Sequence, residues 1–512
     1  MRADLRRDTD EIWVIDCSPE GHQPAVASRV FQAVQQPVCV VLAVRLANCN
    51  EAAPARVRFR SLPEGSRAEK FAAISAVTID GDGWEDCPSG WRAPFLPAAG
   101  REWGEFPSLD SFFVYSGSGV MPGRTWVIAP DTESLRRRWD RLIHEPDPAR
   151  KETLFHPHTP RGELGDRYLA KVPSERLPGD HARMMSVELD RGAVIPPIRY
   201  GFRSFDRQWI IPDYRLINRP NPTIWQWRSS QQIYLTALMA HSPSSGPAVT
   251  FTSLIPDLHH YKGSFGGRAF PLWANAVATE PNVRPLLLTR FSEIFGRPVT
   301  ADEVVAYLAA VAAHPAYTIR FASDLVQPGL RIPVTGEPAL FDEAVRLGRE
   351  VIWLHTFGER FADATAGRPA GPPQLAQGRP RIPAAGEIPS DAAHMPDAIS
   401  YEAGAQRLWI GGGYVDDVPP AVWAYEVSGK HVLTQWFSYR RRNRERPIIG
   451  DRRPPSPLGD IQPDHWLAEY TTDLLEILNV LGRLVALEPS QADLLERICA
   501  GPTLNAEALM PH

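Results

Sequence analysis

Continuous apolar runs and a regular alternation of apolar with polar residues predict the first strands of the chain. Residues 12–16 form a short apolar run that ends in an acid, and residues 37–44 form a longer one. Runs of this length are typical of buried strands in an α/β sheet. Residues 56–60 alternate basic and apolar positions, as a half-buried strand does. Two strands and a short helix cannot make a core alone, so we expect residues 1–50 to be the last part of a larger sheet.

Apolar positions that recur every three to four residues predict the helices. Asp131 and Thr132 can cap a helix over 133–143, and the sequence from Thr300 to Glu303 has the spacing of a capping box. A wide apolar face over 464–487 predicts the clearest helix. Further helices are predicted at 70–77 and 340–355, strands at 125–128 and 249–252, and a hairpin at 399–414. We expect these helices to be scaffold, because apolar residues at helical spacing are usually core.

The order of these elements predicts an α/β chain in which closing strands of a sheet precede a mixed α+β region and a helical C-terminal scaffold. Composition divides it into segments. We expect closing strands at 1–50, a connector with a strand and a helix at 51–195, a mixed domain in two parts at 196–366 and 398–512, and a Pro/Gly-rich loop at 367–397. The last part of the connector, 145–195, is expected to be a polar linker.

Composition restricts the class of protein. The 512 residues carry a formal net charge of −5, so any nucleic-acid surface must be local. None of the five cysteines has C-x-x-C spacing, which argues against a zinc ribbon and against a disulfide framework. No apolar run reaches the length of about 18 residues that crosses a bilayer, and residues 1–10 are charged with no apolar signal region behind them. We therefore expect a cytoplasmic protein with no membrane partner.

The stretch 198–225 interleaves arginines with aromatic residues. Its arginines are Arg199, Arg203, Arg207, Arg215 and Arg219, and only Asp206 and Asp213 oppose them. Guanidinium groups bind phosphates and guanine edges with paired hydrogen bonds and stack on rings, so the pattern suits a nucleic-acid surface. A strand pair with solvated arginines on one face and core aromatics on the other explains the same pattern. Local chemistry leaves the two interpretations equally open.

Two other segments concentrate positive charge. Lys262 and Arg268 lie in a glycine-containing loop, where a missing side chain allows the backbone to approach a phosphate. The densest segment contains Arg440, Arg441, Arg442 and Arg444. It is either a solvated turn or a series of contacts to DNA phosphates.

Histidines and acids raise the alternative of a metal-dependent nuclease or hydrolase. His156 and His158 flank a proline, with no third ligand nearby in the sequence. Asp257, His259 and His260 could be metal ligands or a general base, although polar loop contacts explain them as well. We expect no metal site and no catalytic residue in this chain. Loss of hydrolysis on alanine substitution of His259 or His260, with DNA binding intact, would support the alternative.

Five segments, in the same order, resemble a known family. Residues 12–16 and 31–39 resemble the closing strands of adenine-N6 DNA methyltransferases, with Ala33 where glycine is usual. The arginine-aromatic stretch resembles the signature that opens the target recognition region. The segments 307–333 and 422–439 resemble later parts of that region. One segment carries many matches: Tyr115, Ser116, Gly119, Val120, Arg124, Trp126, Val127 and Asp131. Together they resemble the C-terminal portion of Type ISP restriction-modification enzymes.

The resemblance implies a function that residue patterns alone leave open. Type ISP enzymes are single polypeptides with nuclease, helicase-like translocase, methyltransferase and target recognition domains, and this portion ends the methyltransferase and forms the specificity domain. It implies that the arginines named above, Lys262 and also Arg124 contact double-stranded DNA, which favours the nucleic-acid interpretation. The closing strands at 1–50 would belong to a methyltransferase-like sheet, and 196–366 and 398–512 to the target recognition domain.

The resemblance also implies what must come from elsewhere. Adenine-N6 transfer uses an Asn/Asp-Pro-Pro-Tyr/Phe sequence to hold the flipped base, and this chain has none; Asn221-Pro222-Thr223-Ile224 lacks the second proline and the aromatic residue. A Walker motif is absent as well. S-adenosylmethionine is therefore expected on a partner, namely the methyltransferase and helicase-nuclease part, docked on residues 11–45. The alternatives are that the chain acts as part of an adenine-N6 methyltransferase, or is the remnant of a broken gene.

Overall fold

The computed structural model describes residues 2–509 apart from 21–24, 35, 49, 90, 92–94, 98–100, 157–168, 178–183, 264–265, 327–328, 443–455 and 460. The chain forms two compact units, Met1–Glu105 and Phe106–His512. Both are described below, each by itself. The architecture is mixed α/β, with several small sheets, as the sequence predicts at this level of detail.

The N-terminal unit is built on one sheet. Its elements are α1 (Arg2–Asp8), β1 (Glu11–Asp16), β2 (Cys39–Val44), β3 (Arg56–Ser61), α2 (Arg67–Ser75), β4 (Glu85–Asp86) and α3 (Arg101–Glu105). The strand order is β2-β1-β3-β4, with β2 antiparallel and β3 parallel to β1. The predicted strands at 12–16, 37–44 and 56–60 are thus confirmed. Because β3 pairs with β1, the unit continues past the predicted segment boundary at residue 50.

Strand β1 is the centre of this unit and is buried on both faces. Ile12 and Val14 pack with Val57 and Phe59 of β3 on one face. Ile15 packs with Cys17, Val30 and Leu62 on the other. The outer strand β2 differs, because all six of its residues are exposed. An edge strand that exposes several apolar side chains is uncommon in monomeric proteins.

The C-terminal unit combines short strands with a helical scaffold. Its strands are β5 (Gly117–Ser118), β6 (Ile128–Ala129), β7 (Ile198–Arg203), β8 (Asp206–Ile210), β9 (Tyr234–Ala237), β10 (Val249–Thr252), β11 (Arg268–Pro271), β12 (Val334–Thr335), β13 (Ile399–Glu402), β14 (Arg407–Ile410), β15 (Gly413–Val415), β16 (Glu426–Val427), β17 (Lys430–His431) and β18 (Thr503–Leu504). Its helices are α4 (Thr132–Ile143), α5 (Pro148–Phe155), α6 (Pro222–Gln226), α7 (Pro285–Phe295), α8 (Ala301–Ala312), α9 (Pro315–Arg320), α10 (Pro338–His355), α11 (Pro420–Trp423), α12 (Val432–Ser438), α13 (Ala468–Ala500) and α14 (Ala506–Leu509).

Strands that are distant in sequence meet in the sheets of this unit. The sheet β10-β9-β11-β5 joins residues near 117 to residues near 270, and β12 near residue 334 pairs with β18 near residue 503. A third sheet has the order β6-β8-β7. The boundaries predicted at 195, 366 and 397 therefore separate segments of one unit. The expected linker at 145–195 also contributes to the core, since Leu154, Phe155, Leu169 and Val187 are buried in it.

The helices follow the caps that the sequence predicts. The side chain of Asp131 accepts from the backbone N–H of Ser134 at 2.7 Å and caps α4, and Glu303 accepts from the N–H of Thr300 at 3.0 Å at the start of α8. Helices α8 and α10 cross closely, because a side chain at Gly348 would overlap the carbonyl oxygen of Ala306. Only glycine allows this approach.

Helix α13 is longer than the predicted 464–487. It runs from Ala468 to Ala500 with Pro489 inside it. A proline removes one helical hydrogen bond and usually ends a helix. Here Leu494, Leu495 and Ile498 lie beyond the proline and are buried, so packing of this last part offsets the lost bond. Among the described residues, no helix is both long and apolar enough to cross a membrane.

Candidate nucleic-acid interface

The arginine-aromatic stretch forms the hairpin β7–β8, and most of its arginines point into the unit. Arg199 pairs with Trp209 across the hairpin, and its guanidinium lies 4.6 Å from the centre of the Trp209 ring. The turn contains Phe205 with φ +65°, which a non-glycine residue adopts only when packing holds it. Phe205 is buried against His355 and Tyr425. The hairpin is therefore a core element with one face on the helical scaffold.

Three arginines converge on one carboxylate of helix α13. Arg207 donates to Asp473 at 3.2 Å, and the guanidinium groups of Arg199 and Arg440 lie 3.7 and 4.0 Å from the same carboxylate. Glu476 accepts a further bond from Arg207, and Asp206 pairs with Arg440 at 2.9 Å. We call the following set the Asp473 network: Arg199, Asp206, Arg207, Arg440, Asp473 and Glu476. The network ties the hairpin and the end of α12 to α13.

A second internal ion pair fixes the other end of the hairpin. Arg203 donates to the carboxylate of Asp257 at 2.7 Å, and the hydroxyl of Tyr200 donates to the same group at 2.8 Å. The Arg203 guanidinium also lies 3.7 Å from the centre of the Phe202 ring. Burial lowers the pKa of Arg203, but Tyr439 and Asp257 raise it by more, so the group stays charged. Its charge is neutralised inside the protein.

Arg124 and Arg215 are internal as well. Arg124 donates to the carbonyl oxygens of Phe155 and Leu216 at 3.2 and 2.9 Å. Arg215 pairs with Asp213 at 2.6 Å and with Asp190 at 2.9 Å, with 1% of each side chain exposed. Burial of a charged group requires such partners. These contacts are structural.

These partners correct the predicted set of DNA contacts. Four arginines are buried with internal partners and cannot reach a phosphate in this structure: Arg124, Arg203, Arg215 and Arg440. Arg207 and Arg199 are largely occupied by the Asp473 network. Asp213 lies two residues from Arg215 and was visible in the local pattern, whereas Glu476 lies 269 residues from Arg207 and was not. We do not propose these six arginines as DNA contacts.

A different group of residues forms an exposed polar rim. Arg219 and Arg268 are exposed, and β11 places Arg268 opposite Ser118 of β5. Arg268 donates to the hydroxyl of Ser116 at 2.7 Å. The amide of Asn221 donates to the carbonyl of Ser118 at 2.6 Å and accepts from the hydroxyl of Tyr115 at 3.2 Å. We call the following set the Ser116 rim: Tyr115, Ser116, Ser118, Arg219, Asn221, Trp227 and Arg268.

The Ser116 rim combines the groups that nucleic acids contact. Arg219 has no side-chain partner among the described residues, and the backbone of Arg219 is held by Met121 through a strand-like bridge. The rings of Tyr115 and Trp227 meet edge to face at 5.0 Å. Close by, a side chain at Gly119 would overlap the backbone of Asp257, and Val120 forms a strand-like bridge to Asp257, so this loop is fixed against the segment that follows β10. The rim thus presents cations and amide groups on a rigid backbone.

A second basic group lies around the loop of Lys262. The carbonyl of Lys262 accepts from the amide of Gln435 on α12 at 3.3 Å. Burial and the positive charge of Lys430 lower the pKa of Lys262. Lys430 is exposed at the start of β17, and no pattern in the sequence singled it out. Arg228, exposed next to Trp227, was also missed, although its Trp-Arg dipeptide extends the same aromatic-basic pattern.

The densest basic segment is only partly described. Arg442 is exposed and donates to the carbonyl of Ala393 at 2.7 Å. Arg441 is half-buried, and its Nε has no partner among the described residues. Arg444 lies outside the described residues. Contacts of Arg441, Arg442 and Arg444 with DNA therefore remain predictions.

Two members of the hydrolase alternative, Asp257 and His260, have internal partners. Asp257 is held by Tyr200 and Arg203, and Nδ1 of His260 lies 3.0 Å from the hydroxyl of Thr236. Burial and the positive charge of Arg203 lower the pKa of His260 to about 3, so the ring is neutral. His156 ends α5, and His158 lies outside the described residues. Within the described ranges, no three His, Cys, Asp or Glu side chains could hold a metal ion.

Two further histidines share this buried, neutral state. Burial lowers the pKa of His355 to about 3 and that of His314 to about 4. Nδ1 of His355 accepts from the backbone N–H of Phe251 at 3.2 Å. We refer to His260, His314 and His355 together as the three buried histidines. These rings are neutral in the folded protein, because burial disfavours their charged form.

Comparison with protein families decides the identity of the chain. The model of the Type ISP C-terminal specificity domain matches residues 111–476, which is more than half of the sequence. The chain belongs to this family. The resemblance to Type ISP specificity domains is thereby confirmed for the segments within residues 111–476. A comparison with curated proteins finds no match.

Solved structures share the fold of this Type ISP specificity domain chain. A cryo-electron microscopy structure of a DrdV–DNA complex matches with a TM-score of 0.56 and 16% identity over 98% of this chain. A nuclease-deletion mutant of the Type ISP enzyme LlaGI with a DNA substrate mimic matches with 0.56 and 13% over 97%. The ATP-dependent Type ISP enzyme LlaBIII bound to DNA matches with 0.58 and 12% over 97%. The chain spans 48%, 37% and 31% of their lengths, respectively.

Proposed function

We propose that this chain is the DNA sequence-recognition module of a Type ISP-like restriction-modification system, and that the Ser116 rim contacts the DNA. The observation that carries the proposal is the rim itself, which lies inside the matched specificity domain and presents exposed Arg219 and Arg268 beside fixed amide and hydroxyl groups. Arginine and asparagine side chains can read guanine and adenine edges, respectively, and the exposed cations can also bind phosphates. The DNA complexes of the three structural neighbours support the proposal.

Lys262 and Lys430 form a second set of proposed contacts. Their mutual repulsion is relieved when a phosphate lies between them, which is the usual use of paired cations on a DNA-binding surface. Arg441, Arg442 and Arg444 are proposed to extend this set. Phosphate contacts of this kind position the protein on the duplex without reading sequence.

Binding to a randomised duplex pool, followed by fluorescence anisotropy over a salt series, tests the proposal. Arg219→Ala and Arg268→Ala should weaken binding, and each lost phosphate contact should reduce the salt slope by about one unit. Arg346→Ala removes an exposed arginine of α10 outside the rim and should leave binding unchanged. Equal binding by the rim variants and the wild-type chain would refute the assignment of the rim. An effect confined to one enriched sequence would assign base reading to the altered residue.

We also propose that the catalytic part binds along β2. The N-terminal unit would be the closing portion of a methyltransferase-like sheet, and β2 is its exposed outer strand. The missing part would supply S-adenosylmethionine binding, methyl transfer and the nuclease and translocase activities. The fraction of each solved relative that this chain spans supports a separate or preceding catalytic part.

A pull-down with the remaining portion of a Type ISP-like enzyme tests this second part of the proposal. Val41→Lys places a charge on the outer apolar strand and should abolish the association. Ala72→Lys, at an exposed position of α2, is the matched control. Unchanged association of the Val41→Lys chain would exclude β2 as the docking edge, while leaving DNA recognition by the C-terminal unit untouched.

A further inference from the structure

A groove of about 530 Å³ opens in the C-terminal unit between α9, α11 and α13. Its lining is mostly apolar, with Ile319, Ala421, Ala424 and Val485 among the exposed or half-buried surfaces. Ile319 is 73% exposed, an unusual position for an isoleucine. A groove of this volume with an apolar lining and a few polar groups has the character of a small-molecule site.

The charged groups of the groove favour a positive ligand. Glu426 and Glu488 line it, and none of the described lining residues is a lysine, an arginine or a histidine. Neither carboxylate has a hydrogen-bond or ion-pair partner among the described side chains. Burial raises the pKa of Glu488 to about 7, the response of a carboxylate that has no counterion.

Two further acceptors lie in the same groove. Tyr425 lines it and is only 6% exposed, yet its hydroxyl has no hydrogen-bond partner within the described part of the chain. Pro489 has no N–H to donate to the carbonyl of Val485, four residues earlier on α13, and Val485 also lines the groove. The Tyr425 hydroxyl can therefore bond to a ligand that lies in the groove.

We propose that this groove is a binding site for a small organic cation, an ammonium or guanidinium group on a short apolar chain. The charged head would donate to the carboxylates of Glu426 and Glu488 and to the hydroxyl oxygen of Tyr425. The apolar chain would cover Ile319 and Val485. A bare metal ion suits the groove less well, since hard cations need several oxygen ligands and the lining is mostly carbon. The groove is lined by none of the residues proposed above to contact DNA.

Titration calorimetry of the whole chain with n-hexylammonium tests the proposal, with n-hexanol as the uncharged probe of the same length. The ammonium should bind, and Glu488→Gln should weaken it by about tenfold or more, the loss expected when a charge-assisted bond becomes neutral. Tyr425→Phe should weaken it by about threefold to tenfold. Hexanol should bind weakly, and equally to the wild-type chain and to Glu488→Gln.

Two control variants separate a loss of binding in the groove from a general effect of substitution. Asp493→Asn removes an exposed carboxylate of the same helix, which pairs with Arg497 outside the groove, and should leave binding unchanged. Ala424→Leu fills the groove from its exposed edge without changing charge and should abolish binding. No heat of binding, or equal affinity of the ammonium for the wild-type chain and Glu488→Gln, would overturn the proposal. A Glu488→Gln chain that binds hexanol and hexylammonium alike would support it.

Discussion

Substitution of Asp473 by alanine tests whether the arginine-aromatic hairpin is held to α13 by charge. Asp473 is 6% exposed and faces Arg207, Arg199 and Arg440 at 3.2, 3.7 and 4.0 Å. At about 3.7 Å and an effective dielectric constant of about 20, each pair contributes roughly 4 kcal/mol of attraction before desolvation is subtracted. The variant would leave three cations facing a neutral side chain.

The remaining acids limit the net loss of stability in Asp473→Ala. Arg207 keeps Glu476 and Arg440 keeps Asp206, whereas Arg199 keeps no other described ion-pair partner within 4 Å and must turn to water. Alanine also has a better helix propensity than aspartate, by about 0.5 kcal/mol. Breaking a buried pair commonly costs about 3–5 kcal/mol. After these offsets we expect Asp473→Ala to lower the free energy of unfolding of the C-terminal unit by about 2–4 kcal/mol.

The assay combines urea unfolding with hydrogen exchange of peptides from β7, β8 and α13. Exchange should accelerate in β7 and β8 first, because the network is their link to the helix. Asp493→Ala, which breaks an exposed pair on the same helix, should change stability by less than about 1 kcal/mol. A loss no larger than in that control would refute the structural role of the network. Tighter DNA binding by Asp473→Ala would show instead that Arg199 and Arg207 are DNA contacts restrained by the carboxylate.

Three other predictions follow from burial and close packing. Gly348→Ala should destabilise the chain by about 3 kcal/mol or more in a urea titration, because the added carbon overlaps Ala306. Gly404→Ala has open space around it and should leave the urea midpoint nearly unchanged. The three buried histidines have pKa values lowered to about 3–4. Below pH ~6.5 the unfolded chain binds protons that the folded chain does not, so the free energy of unfolding should fall by up to about 4 kcal/mol per pH unit. Equal urea midpoints at pH ~7 and ~5 would contradict this. Glu488 has the opposite effect on stability, because its pKa is raised to about 7. Its protonation between pH ~7 and ~4.5 stabilises the fold, by about 1 kcal/mol per pH unit at most after allowance for partial exposure. The free energy of unfolding of the Glu488→Gln chain should therefore fall more steeply as the pH is lowered.

Features of the fold that depend on neighbouring residues were predictable from the sequence. The caps at Asp131 and Thr300 and the strand at 249–252 are examples, because each is specified within a few residues. The extension of α13 past Pro489 was not predictable, since it depends on packing of Leu494 and Ile498 against distant parts of the unit. A helix break at proline is a local rule, and tertiary burial overrode it.

The candidate site also combines features that the local sequence predicts with features that depend on distant residues. The sequence selected Arg219 and Arg268 because they are basic and lie near aromatic residues or glycines, and both are exposed. It selected Arg203 and Arg440 for the same reason, and both are buried. Their acids, Asp257 and Asp206, lie 54 and 234 residues away. The resemblance of several ordered segments therefore identified the family, while the location of counter-charges decided which arginines are exposed.

Strand β2 has a practical consequence for anyone who prepares this chain alone. Its six residues include Val40, Val41, Leu42 and Val44, each between 36% and 42% exposed, on a strand with β1 on one side only. Such an edge can pair with the same strand of a second molecule as readily as with any other. We expect purified material to self-associate as its concentration rises. Stock solutions of the Val41→Lys chain should stay monodisperse at concentrations where the wild-type chain does not.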